Sequence, residues 1–502
     1  MTFDEMIDQV VSSANSQNNI LTDGQLTCYY KNIPTFFESI DKYFAEREIS
    51  VENNLAFECV NSVPSALTLL YLLKKGYNFF LLPLLCNRGK EFSFKPLIPK
   101  FCQYQVTIEN YSNIENYSNN ETVEPDKYPE KFLRIEKREQ CHYNMKMESN
   151  GGGKLYLRTS GSTGASKIAV HSHTKLLGNV LNCVKRFRLK ADDKLVIPVP
   201  IFHMYGFGAA FLPGIVVGAS IDLQENSNIL IYMERERRFN PNIAFLTPTL
   251  CEMFLSGRKS PRPYKLVVTA GDKIKEDKFR KFESFFGPLV NLYGSTEMGA
   301  IAASEPDDHI NRRAIMVGKP MQGVQIRLKD KGFEPDDGVN ADVAELCCKH
   351  EYGFDGYVDE NGNNNRLNMM SQSDWFKTGD LGRIQQDGQV KVLGRCDHSV
   401  NRNGFLVLFA DIERAMEKIE DTERVVVVAK GESKRGQRIV AFCVPSQGAT
   451  LSSDQIRTAC FERLPNYAIP DGVFVVSSLP SLPNGKVDRL ALLKMAPSRS
   501  LK

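Results

Sequence analysis

Short apolar runs that alternate with helix-like segments constrain the fold of this chain more than any other feature. From about residue 154 onward these runs read KLYL, KLVIPV, IAFLT, YKLVVTAG and LVNLYG, and several end in a glycine-containing turn. Runs of this length are typical of buried strands, and their alternation with helices predicts an α/β fold. Open α/β sheets bind ligands at the carboxyl ends of their strands, so we expect a binding site at these turns.

The length and the order of the segments predict two domains. Residues 66–85 read as an apolar helix that stops near Gly76, followed by a short strand, and 502 residues are too many for one compact core. Beyond about residue 340 the strands become shorter and more polar, and a helix is expected from near Ala410 and at 452–463. We therefore expect an N-terminal domain of layered mixed sheets and helices over 1–395, and a small α+β domain with its own core over 396–502.

Composition excludes several classes of protein. The formal net charge of +3 gives no preference for nucleic acid, and the longest apolar segments, such as FFLLPLL, are too short for a membrane span. The start of the chain, MTFDEMIDQVV, carries acids before any apolar run and does not read as a secretory signal. Twelve cysteines are scattered without paired C-x-x-C spacing, which favours reduced thiols in a cytoplasmic protein. The Asn-rich stretch 109–131 is expected to be a surface loop.

The stretch YLRTSGSTGASK, residues 156–167, suggests an anion-binding loop. Backbone N–H groups of Ser160 to Gly164 could form an anion-binding concavity, the Ser and Thr hydroxyls add donors, and Lys167 supplies a positive charge. It is not a Walker A loop, because Gly161 and Gly164 are only three residues apart and Lys167 is followed by Ile168. A surface turn rich in Gly and Ser would look similar, so this stretch alone leaves both interpretations open.

Further motifs in the same order give the chain a family resemblance. YLRTSGSTGASK resembles the phosphate loop of the adenylate-forming superfamily, which includes acyl-CoA synthetases, aryl-CoA ligases, peptide-synthetase adenylation domains and beetle luciferases. The resemblance covers about residues 50–490 and rests on six motifs in register. The other five are PIFHMYG (200–206), NLYGSTEMG (291–299), WFKTGDLG (375–382), GRCDHSVNRNGFLV (394–407) and LPNGKVDR (482–489).

The resemblance implies a reaction that joins a carboxylate to the α-phosphate of ATP and expels pyrophosphate. It implies that Lys167 and the preceding loop hold the β- and γ-phosphates, and that Tyr293 offers an aromatic face to adenine beside Ala270 and Gly271. A core aromatic that closes a strand is the alternative for Tyr293. The implied loop residues are Thr159, Ser160, Gly161, Ser162, Thr163 and Gly164.

Further site residues are implied in the same way. Thr296 would hydrogen-bond the α-phosphate and Glu297 would help to bind Mg²⁺, which prefers one or two carboxylates plus phosphate oxygens. Asp380 would accept both ribose hydroxyls, although a turn-forming Asp is equally consistent with its neighbours. Arg395 would reach the ribose or a phosphate. The resemblance implies that the small C-terminal domain is mobile and carries Lys486 into the site, where Lys486 would bridge the reacting oxygens. The loss of Lys486 is expected to cost about a hundredfold or more in rate.

The substrate is marked less clearly. Amino-acid-activating relatives usually carry an Asp near the start of segment 202–205, but Phe202 and His203 stand there. Because an α-ammonium group needs an acidic partner, we expect an aryl, aryl-propenoic or medium-chain fatty acid. The resemblance suggests that His203 gates a thiol tunnel, and packing as a polar-tipped core residue is the alternative. The acceptor would be coenzyme A or the phosphopantetheine arm of a carrier protein in trans, since no Asp-Ser-Leu-type site follows residue 490.

Departures from the family pattern leave other readings open. Ser166 and Ile168 replace a frequent Pro and Gly, and Asn401 stands where many acyl-CoA ligases have Lys, while Gly404 is kept. The Asn401 departure leaves adenylation intact and puts the thiol acceptor in doubt. The alternatives are a freestanding adenylation domain for an unusual amino acid, a homologue that binds nucleotide or acyl-adenylate without turnover, and, more remotely, a light-emitting enzyme.

Overall fold

The chain folds into two compact units. The computed structural model describes residues 1–84, 98–109, 121–122, 127–139, 152–159, 167–225, 229–258, 260–329, 342–369, 374–402, 405–433, 436–481 and 487–496. The first unit comprises Met1–Ile326, Cys348–Phe376 and Gln386–Val390, and the second comprises Arg327–Cys347, Lys377–Gln385 and Lys391–Lys502. The second unit thus also includes segments that lie before residue 395. The boundary at residues 395–396 and the mobility of the second domain stay predictions.

The described part of the chain contains α-helices in both units. They are α1 Phe3–Val11, α2 Ile33–Ala45, α3 Val63–Lys75, α4 Tyr128–Phe132, α5 His173–Phe187, α6 Leu212–Val216, α7 Ile229–Phe239, α8 Pro248–Gly257, α9 Glu276–Phe286, α10 Ile310–Arg313, α11 Phe409–Met416, α12 Ser453–Arg463 and α13 Arg489–Met495. No helix in these described ranges is both long and apolar enough to cross a lipid bilayer.

Strands in the first half of the chain are β1 Ile20–Thr22, β2 Leu26–Tyr29, β3 Asn54–Cys59, β4 Asn78–Pro83, β5 Tyr104–Ile108, β6 Glu121–Thr122, β7 Leu133–Lys137, β8 Lys154–Arg158, β9 Ile168–Ser172, β10 Lys194–Ile197, β11 Ser220–Leu223 and β12 Ile243–Leu246. Those that follow are β13 Leu266–Ala270, β14 Leu289–Ser295, β15 Gly299–Ala303, β16 Lys319–Pro320, β17 Val324–Leu328, β18 Ala344–His350, β19 Gly356–Val358, β20 Asn364–Met369, β21 Phe376–Ile384, β22 Val390–Arg395, β23 Ser399–Arg402, β24 Phe405–Leu408, β25 Thr422–Ser433, β26 Gly436–Pro445 and β27 Gly472–Val475.

Two large mixed sheets form the first unit. The ten-stranded sheet has the order β16-β15-β14-β13-β12-β10-β11-β1-β2-β6, and its strands from β14 to β1 run parallel. The eight-stranded sheet has the order β20-β19-β9-β8-β4-β3-β5-β7, with β8, β4, β3 and β5 parallel. All five apolar runs from which the α/β fold was predicted form strands here, as β8, β10, β12, β13 and β14, so that prediction is confirmed.

Helix α3 shows how the sequence builds this core. Its N-terminus is capped by Ser62, whose hydroxyl accepts from the N–H of Ser65, and Pro64 stands in the first turn. Its apolar residues lie on every face, which is typical of a helix buried all round, and its side chains from 63 to 73 are buried. The helix ends at Gly76, which has a left-handed φ of 76°. The predicted stop near Gly76 is therefore confirmed.

The second unit has its own core, as the sequence predicted. Strands β24, β23, β26 and β25 form a sheet in that order, and β27 pairs in parallel with β26. Helices α11 and α12 bury Ile412, Met416, Ile456 and Cys460 in an apolar cluster with residues of this sheet. A separate four-stranded sheet has the order β17-β18-β21-β22. In the Asn-rich stretch 109–131, residues 128–131 belong to α4 and Tyr128 is buried, so the surface-loop prediction is wrong for that part. Most of the rest of the stretch lies outside the described residues.

Candidate active site

The predicted phosphate loop connects the ends of two paired strands. Strands β8 and β9 are antiparallel neighbours, and the N–H of Thr159 donates to the carbonyl oxygen of Lys167 at 2.8 Å. Thr159 is buried and Lys167 is exposed. The structure thus places the base of the loop at the end of a strand, as the sequence predicted. The remaining predicted loop residues, Ser160, Gly161, Ser162, Thr163 and Gly164, and the departure at Ser166 lie outside the described residues.

The second predicted motif forms the turn between β14 and β15. A Cβ atom on Gly294 would lie 2.3 Å from the carbonyl oxygen of Gly299, so only glycine allows the two strands to approach this closely. The N–H of Met298 donates to the Ser295 hydroxyl at 3.0 Å and tightens the turn. Thr296 and Glu297 lie inside this turn, and both are partly exposed. The turn therefore presents the two predicted phosphate and magnesium residues side by side.

A buried histidine ties the loop strand to this turn. Nε2 of His171, on β9, lies 2.8 Å from the carbonyl oxygen of Thr296. Because a carbonyl oxygen only accepts hydrogen bonds, the imidazole proton is on Nε2. Burial lowers the pKa of His171 to about 4, so the ring is neutral at physiological pH. His171 therefore fixes the strand that follows the phosphate loop against the turn that carries Thr296.

One tyrosine contacts both charged residues of the predicted triphosphate site. The hydroxyl of Tyr357, on β19, donates to Oε1 of Glu297 at 2.8 Å. The Nζ atom of Lys167 lies over the same aromatic ring, 4.9 Å from its centroid. Burial, followed by the charge of Glu297, raises the pKa of Tyr357, so its hydroxyl remains a donor at neutral pH. Lys167 and Glu297 are thereby brought to one place by a residue that lies outside the predicted motifs.

These residues fit a magnesium ion that bridges to phosphate. Glu297 is partly exposed and uses Oε1 for Tyr357. Within the described residues no group of three or more His, Cys, Asp or Glu that could hold a metal is found. Magnesium keeps several waters and takes one or two carboxylates plus substrate phosphate oxygens, so a single, partly exposed carboxylate suits it. Glu297 is therefore the residue that would hold the metal.

The predicted adenine contacts lie at neighbouring strand ends. Strands β13 and β14 are parallel, and Ala270 pairs in register with Leu292, the residue before Tyr293. Gly271 has a φ of 96°, and an added Cβ would meet no atom within 4 Å. Open space therefore adjoins the backbone after β13, at the edge where Tyr293 lies two residues before the end of β14. Tyr293 is partly buried against the first-unit core, so the core interpretation describes only part of its surface.

The PIFHMYG segment leads into a π-helical turn at Tyr205–Phe211. His203 is exposed, with its ring against Phe202 at 4.5 Å between centroids. The alternative that His203 packs as a core residue is therefore wrong. The hydroxyl of Tyr205 lies 2.8 Å from the carbonyl oxygen of Val268 and 3.0 Å from that of Leu246. Tyr205 thus bridges the carboxyl ends of β12 and β13, where open α/β sheets bind ligands.

The second unit brings Asp380 and Arg395 together. Nη1 of Arg395 donates to Oδ1 of Asp380 at 3.2 Å and to the carbonyl oxygen of Thr378 at 2.9 Å. The N–H of Asp380 donates to the Thr378 hydroxyl at 3.1 Å. Asp380 is largely shielded, with a side-chain exposure of 14%, and Arg395 is more open at 41%. The predicted ribose carboxylate is therefore held in a fixed orientation by a second predicted site residue.

Some predicted site residues lie outside the part of the chain that the structure describes. Lys486 and Gly404 lie outside the described residues, as does the side chain of Asn401, although its backbone belongs to β23. Their roles stay predictions.

Two residues of the site were missed by sequence reasoning. His171 offered a signal, because it is a polar residue inside the apolar strand run IAVHS. Tyr357 offered none, since it lies in a short strand almost two hundred residues from its Lys167 partner and carries no spacing pattern.

Comparison with known proteins gives two family matches. The family described as AMP-binding enzyme matches residues 155–358, and the family described as AMP-binding enzyme C-terminal domain matches residues 411–486. Together they span more than half of the chain. The first match contains the loop, the turn and Tyr357.

Individual relatives include a CoA ligase and a nonribosomal peptide synthase. An oxalate–CoA ligase of Arabidopsis thaliana is 25% identical over 350 residues, which cover 67% of this chain and 66% of that protein, slightly less than two thirds of its length. A dimodular nonribosomal peptide synthase of Bacillus subtilis is 34% identical over 349 residues, which cover 66% of this chain and 14% of that protein. Among solved structures, ATP-bound MatB from Rhodopseudomonas palustris superimposes with a TM-score of 0.75 at 20% identity and covers 99% of both chains. At that identity the likeness establishes the fold.

Proposed function

Since the chain belongs to the family of AMP-binding, adenylate-forming enzymes, we propose that it is an ATP-dependent ligase that activates a carboxylic acid as its acyl-adenylate and then transfers the acyl group to a thiol. The acceptor is coenzyme A or the phosphopantetheine arm of a carrier protein.

The single observation that carries this proposal is the meeting of Lys167 and Glu297 at Tyr357. A triphosphate with its metal needs a cation for the phosphate oxygens and a carboxylate for the metal at the same place. Lys167 comes from the base of the glycine-rich loop and Glu297 from a turn far along the chain. An ordinary surface turn would give no reason for these two charges to converge.

The first unit is assigned the triphosphate, the adenine and the acid. Lys167, Thr159 and the loop at 160–164 hold the β- and γ-phosphates, while Thr296 donates to the α-phosphate. Glu297 holds Mg²⁺, which when bound supplies positive charge to the triphosphate and the leaving pyrophosphate. Tyr293 stacks on adenine beside Ala270 and Gly271.

Asp380, Arg395 and Lys486 are assigned the ribose and the reacting oxygens. Asp380 accepts from the ribose hydroxyls, and Arg395 holds Asp380 and reaches the ribose or a phosphate. Lys486 bridges the attacking carboxylate oxygen and the α-phosphate, where charge develops during the reaction. Exposed His203 is assigned to the thiol path, as the family resemblance implies.

The two half-reactions are chemically simple. A carboxylate oxygen of the acid attacks the α-phosphorus, a P–O bond forms, and the bond to pyrophosphate breaks. The thiolate of the acceptor then attacks the acyl carbon, and AMP leaves with the electrons of the C–O bond. Because two anions must meet in the first step, positioning and charge neutralisation supply most of the acceleration.

The proposed acid has no α-ammonium group. Segment 200–211 contains no Asp or Glu, and Met204 and Phe207 are buried in the apolar core that adjoins Tyr205. A cationic amine would have no counter-ion from this segment, which favours an aryl, aryl-propenoic or medium-chain fatty acid. Oxalate–CoA and indoleacetate–CoA ligases among the relatives act on small carboxylic acids according to their names.

A second candidate is adenylation of an amino acid. It is favoured by the 34% identity with the Bacillus subtilis peptide synthase, which exceeds the identity with the Arabidopsis CoA ligase. It requires an amine partner outside segment 200–211.

The test is ATP–pyrophosphate exchange with a panel of aryl, fatty and amino acids, using the wild type, Lys486→Ala and Lys494→Ala. Lys494 is an exposed lysine on α13 and serves as the matched control. We expect exchange with one class of non-amino acids, reduced about a hundredfold or more in Lys486→Ala and unchanged in Lys494→Ala. Exchange with amino acids alone would select the second candidate, and ATP binding without any exchange would identify a non-catalytic homologue.

A further inference from the structure

We propose that Tyr357 is a positioning residue of the triphosphate and metal site: its hydroxyl orients the carboxylate of Glu297, and its ring holds the ammonium group of Lys167 beside it. This inference rests on the proposed function, because it concerns how the same site receives ATP and its metal. It assigns Tyr357 a task that the sequence motifs did not indicate.

The backbone places Tyr357 next to the phosphate loop. Strand β19 pairs antiparallel with β9, so that Tyr357 lies opposite Ala169 and Val358 lies opposite Ile168, the residue after Lys167. The ring of Tyr357 also packs edge-on against Phe354, with 4.8 Å between centroids. Two neighbouring strands and an aromatic contact therefore fix the ring where the lysine leaves the loop.

The turn that carries Glu297 is tied to the same segment twice. The N–H of Phe354 donates to the backbone carbonyl oxygen of Glu297 at 2.8 Å, and the Tyr357 hydroxyl donates to its Oε1 atom at the same distance. A hydrogen bond to an ionised carboxylate is stronger than one between neutral groups. The backbone and the carboxylate of Glu297 are thus both fixed. Because the Tyr357 hydroxyl holds Oε1, the orientation of Oε2 is also set.

The ring of Tyr357 attracts Lys167 without neutralising it. The ammonium nitrogen lies 4.9 Å from the ring centroid, within the range of a cation–π interaction. Among the described residues, neither Lys167 nor Glu297 takes part in an ion pair. A direct Lys–Glu ion pair would compete with both the phosphate and the metal. Because Lys167 contacts the ring of Tyr357 and Glu297 contacts its hydroxyl, both charges are held at one residue and stay available to a ligand.

The experiment separates the hydroxyl from the ring. Binding of Mn²⁺ to the protein–ATP complex is followed by electron paramagnetic resonance, and binding of ATP in EDTA is followed by calorimetry. Tyr357→Phe keeps the ring, so we expect Mn²⁺ affinity to fall about tenfold while metal-free ATP affinity stays unchanged. Tyr357→Leu removes the ring as well, so metal-free ATP affinity should also fall, by about threefold.

Tyr352→Phe is the matched control. Tyr352 lies in the same segment and its hydroxyl interacts with its neighbour Glu351, so the same atom is removed beside a different carboxylate. Mn²⁺ affinity is expected to be unchanged in this variant. A double variant, Tyr357→Phe with Glu297→Gln, should bind Mn²⁺ no more weakly than Glu297→Gln alone, because the hydroxyl acts through Glu297.

The outcomes distinguish this inference from the proposed function. If the wild type binds no ATP, the proposed function fails. If the wild type binds ATP with Mn²⁺ and Tyr357→Phe binds the metal equally well, Tyr357 is not a positioning residue. Equal losses in Tyr357→Phe and Tyr352→Phe, or additive losses in the double variant, would also overturn the inference, because they indicate a general structural effect.

Discussion

His171 and Thr296 are joined by a hydrogen bond from Nε2 to a carbonyl oxygen at 2.8 Å, although they are 125 residues apart in the sequence. The bond links β9 to the turn that carries Thr296 and Glu297, the residues proposed for the α-phosphate and the metal. Because burial penalises the charged form of the imidazole, the stability of this buried contact depends on pH. It is therefore both a structural tie and a titrating group.

The first prediction concerns that titration. Burial lowers the pKa of His171 from 6.5 to about 4, so the unfolded chain binds a proton in this interval that the folded chain does not. The contribution of His171 to the free energy of unfolding should therefore be fully present above about pH 6.5 and decrease as the pH falls towards 4. His171→Gln offers an amide donor that does not titrate, so its unfolding free energy should fall less steeply. Urea denaturation at several pH values measures both slopes.

His173 and His350 keep part of the pH dependence in that variant. Burial lowers their pKa values to about 3 and about 4, respectively, so each also destabilises the fold in acid. Identical slopes for the wild type and His171→Gln would show that His171 does not titrate as its burial requires.

The second prediction concerns Asp380 and Arg395. Asp380→Asn keeps the shape of the side chain but removes the charge that Arg395 contacts and that would accept from ribose. We expect the KM for ATP to rise about tenfold, since hydrogen bonds to charged groups contribute about 1.5–3 kcal/mol. The control is Asp397→Asn, because Asp397 also contacts Arg395, at 3.5 Å, but lies outside the predicted site. Equal effects of both variants on the KM would contradict a ribose role for Asp380.

Much of the fold could be predicted from the sequence because the signals were local. A short apolar run needs no partner to be recognised as a strand, and β10, β12, β13 and β14 all formed where such runs stand in the sequence. The grouping of 377–385 with the second unit could not be predicted in this way. It depends on which distant segments pack together, and pairing over such separations leaves no local pattern.

The residues of the candidate site divide in the same way, into those that a local motif indicates and those that only the folded structure brings together. The family resemblance implied Lys167, Glu297 and Asp380, because each stands in a short motif that matches the family pattern. Tyr357 escaped because its role comes from strand pairing: β19 lies beside β9 only after the eight-stranded sheet has formed. His203 shows a limit of another kind: its exposure excludes packing as a core residue, and a sequence does not show exposure.

The third prediction concerns Asn179, a buried residue of α5 that supports the β14–β15 turn. Its Nδ2 atom donates to the Met298 carbonyl oxygen at 3.0 Å, and its Oδ1 atom accepts from the N–H of Ala300 at 3.1 Å. Asn179→Ala leaves both backbone groups without this partner, so unfolding free energy should fall by about 2–4 kcal/mol. The value is read from chemical denaturation.

Asn182 on the same helix is the control for Asn179. It is also buried, but it makes one bond, from Nδ2 to the Gln322 carbonyl oxygen at 2.7 Å, away from the turn. Asn182→Ala should cost about 1 kcal/mol and leave ATP affinity unchanged, whereas Asn179→Ala should weaken ATP binding as well. Equal ATP affinities in the two variants would show that the β14–β15 turn is not part of the nucleotide site.

The fourth prediction concerns Tyr205 and the acid. Its hydroxyl proton is shared between the carbonyl oxygens of Leu246 and Val268, so Tyr205→Phe frees the ring from the ends of two strands. Unfolding free energy should fall by about 1–2 kcal/mol, and the KM for the acid should rise severalfold while the KM for ATP stays constant. Tyr43→Phe is the control, because Tyr43 donates to one carbonyl oxygen, that of Leu133, at 2.8 Å. Its loss should lower stability without changing either KM. If Tyr205→Phe raised the KM for ATP instead, the ring would belong to the nucleotide site and the acid would bind elsewhere.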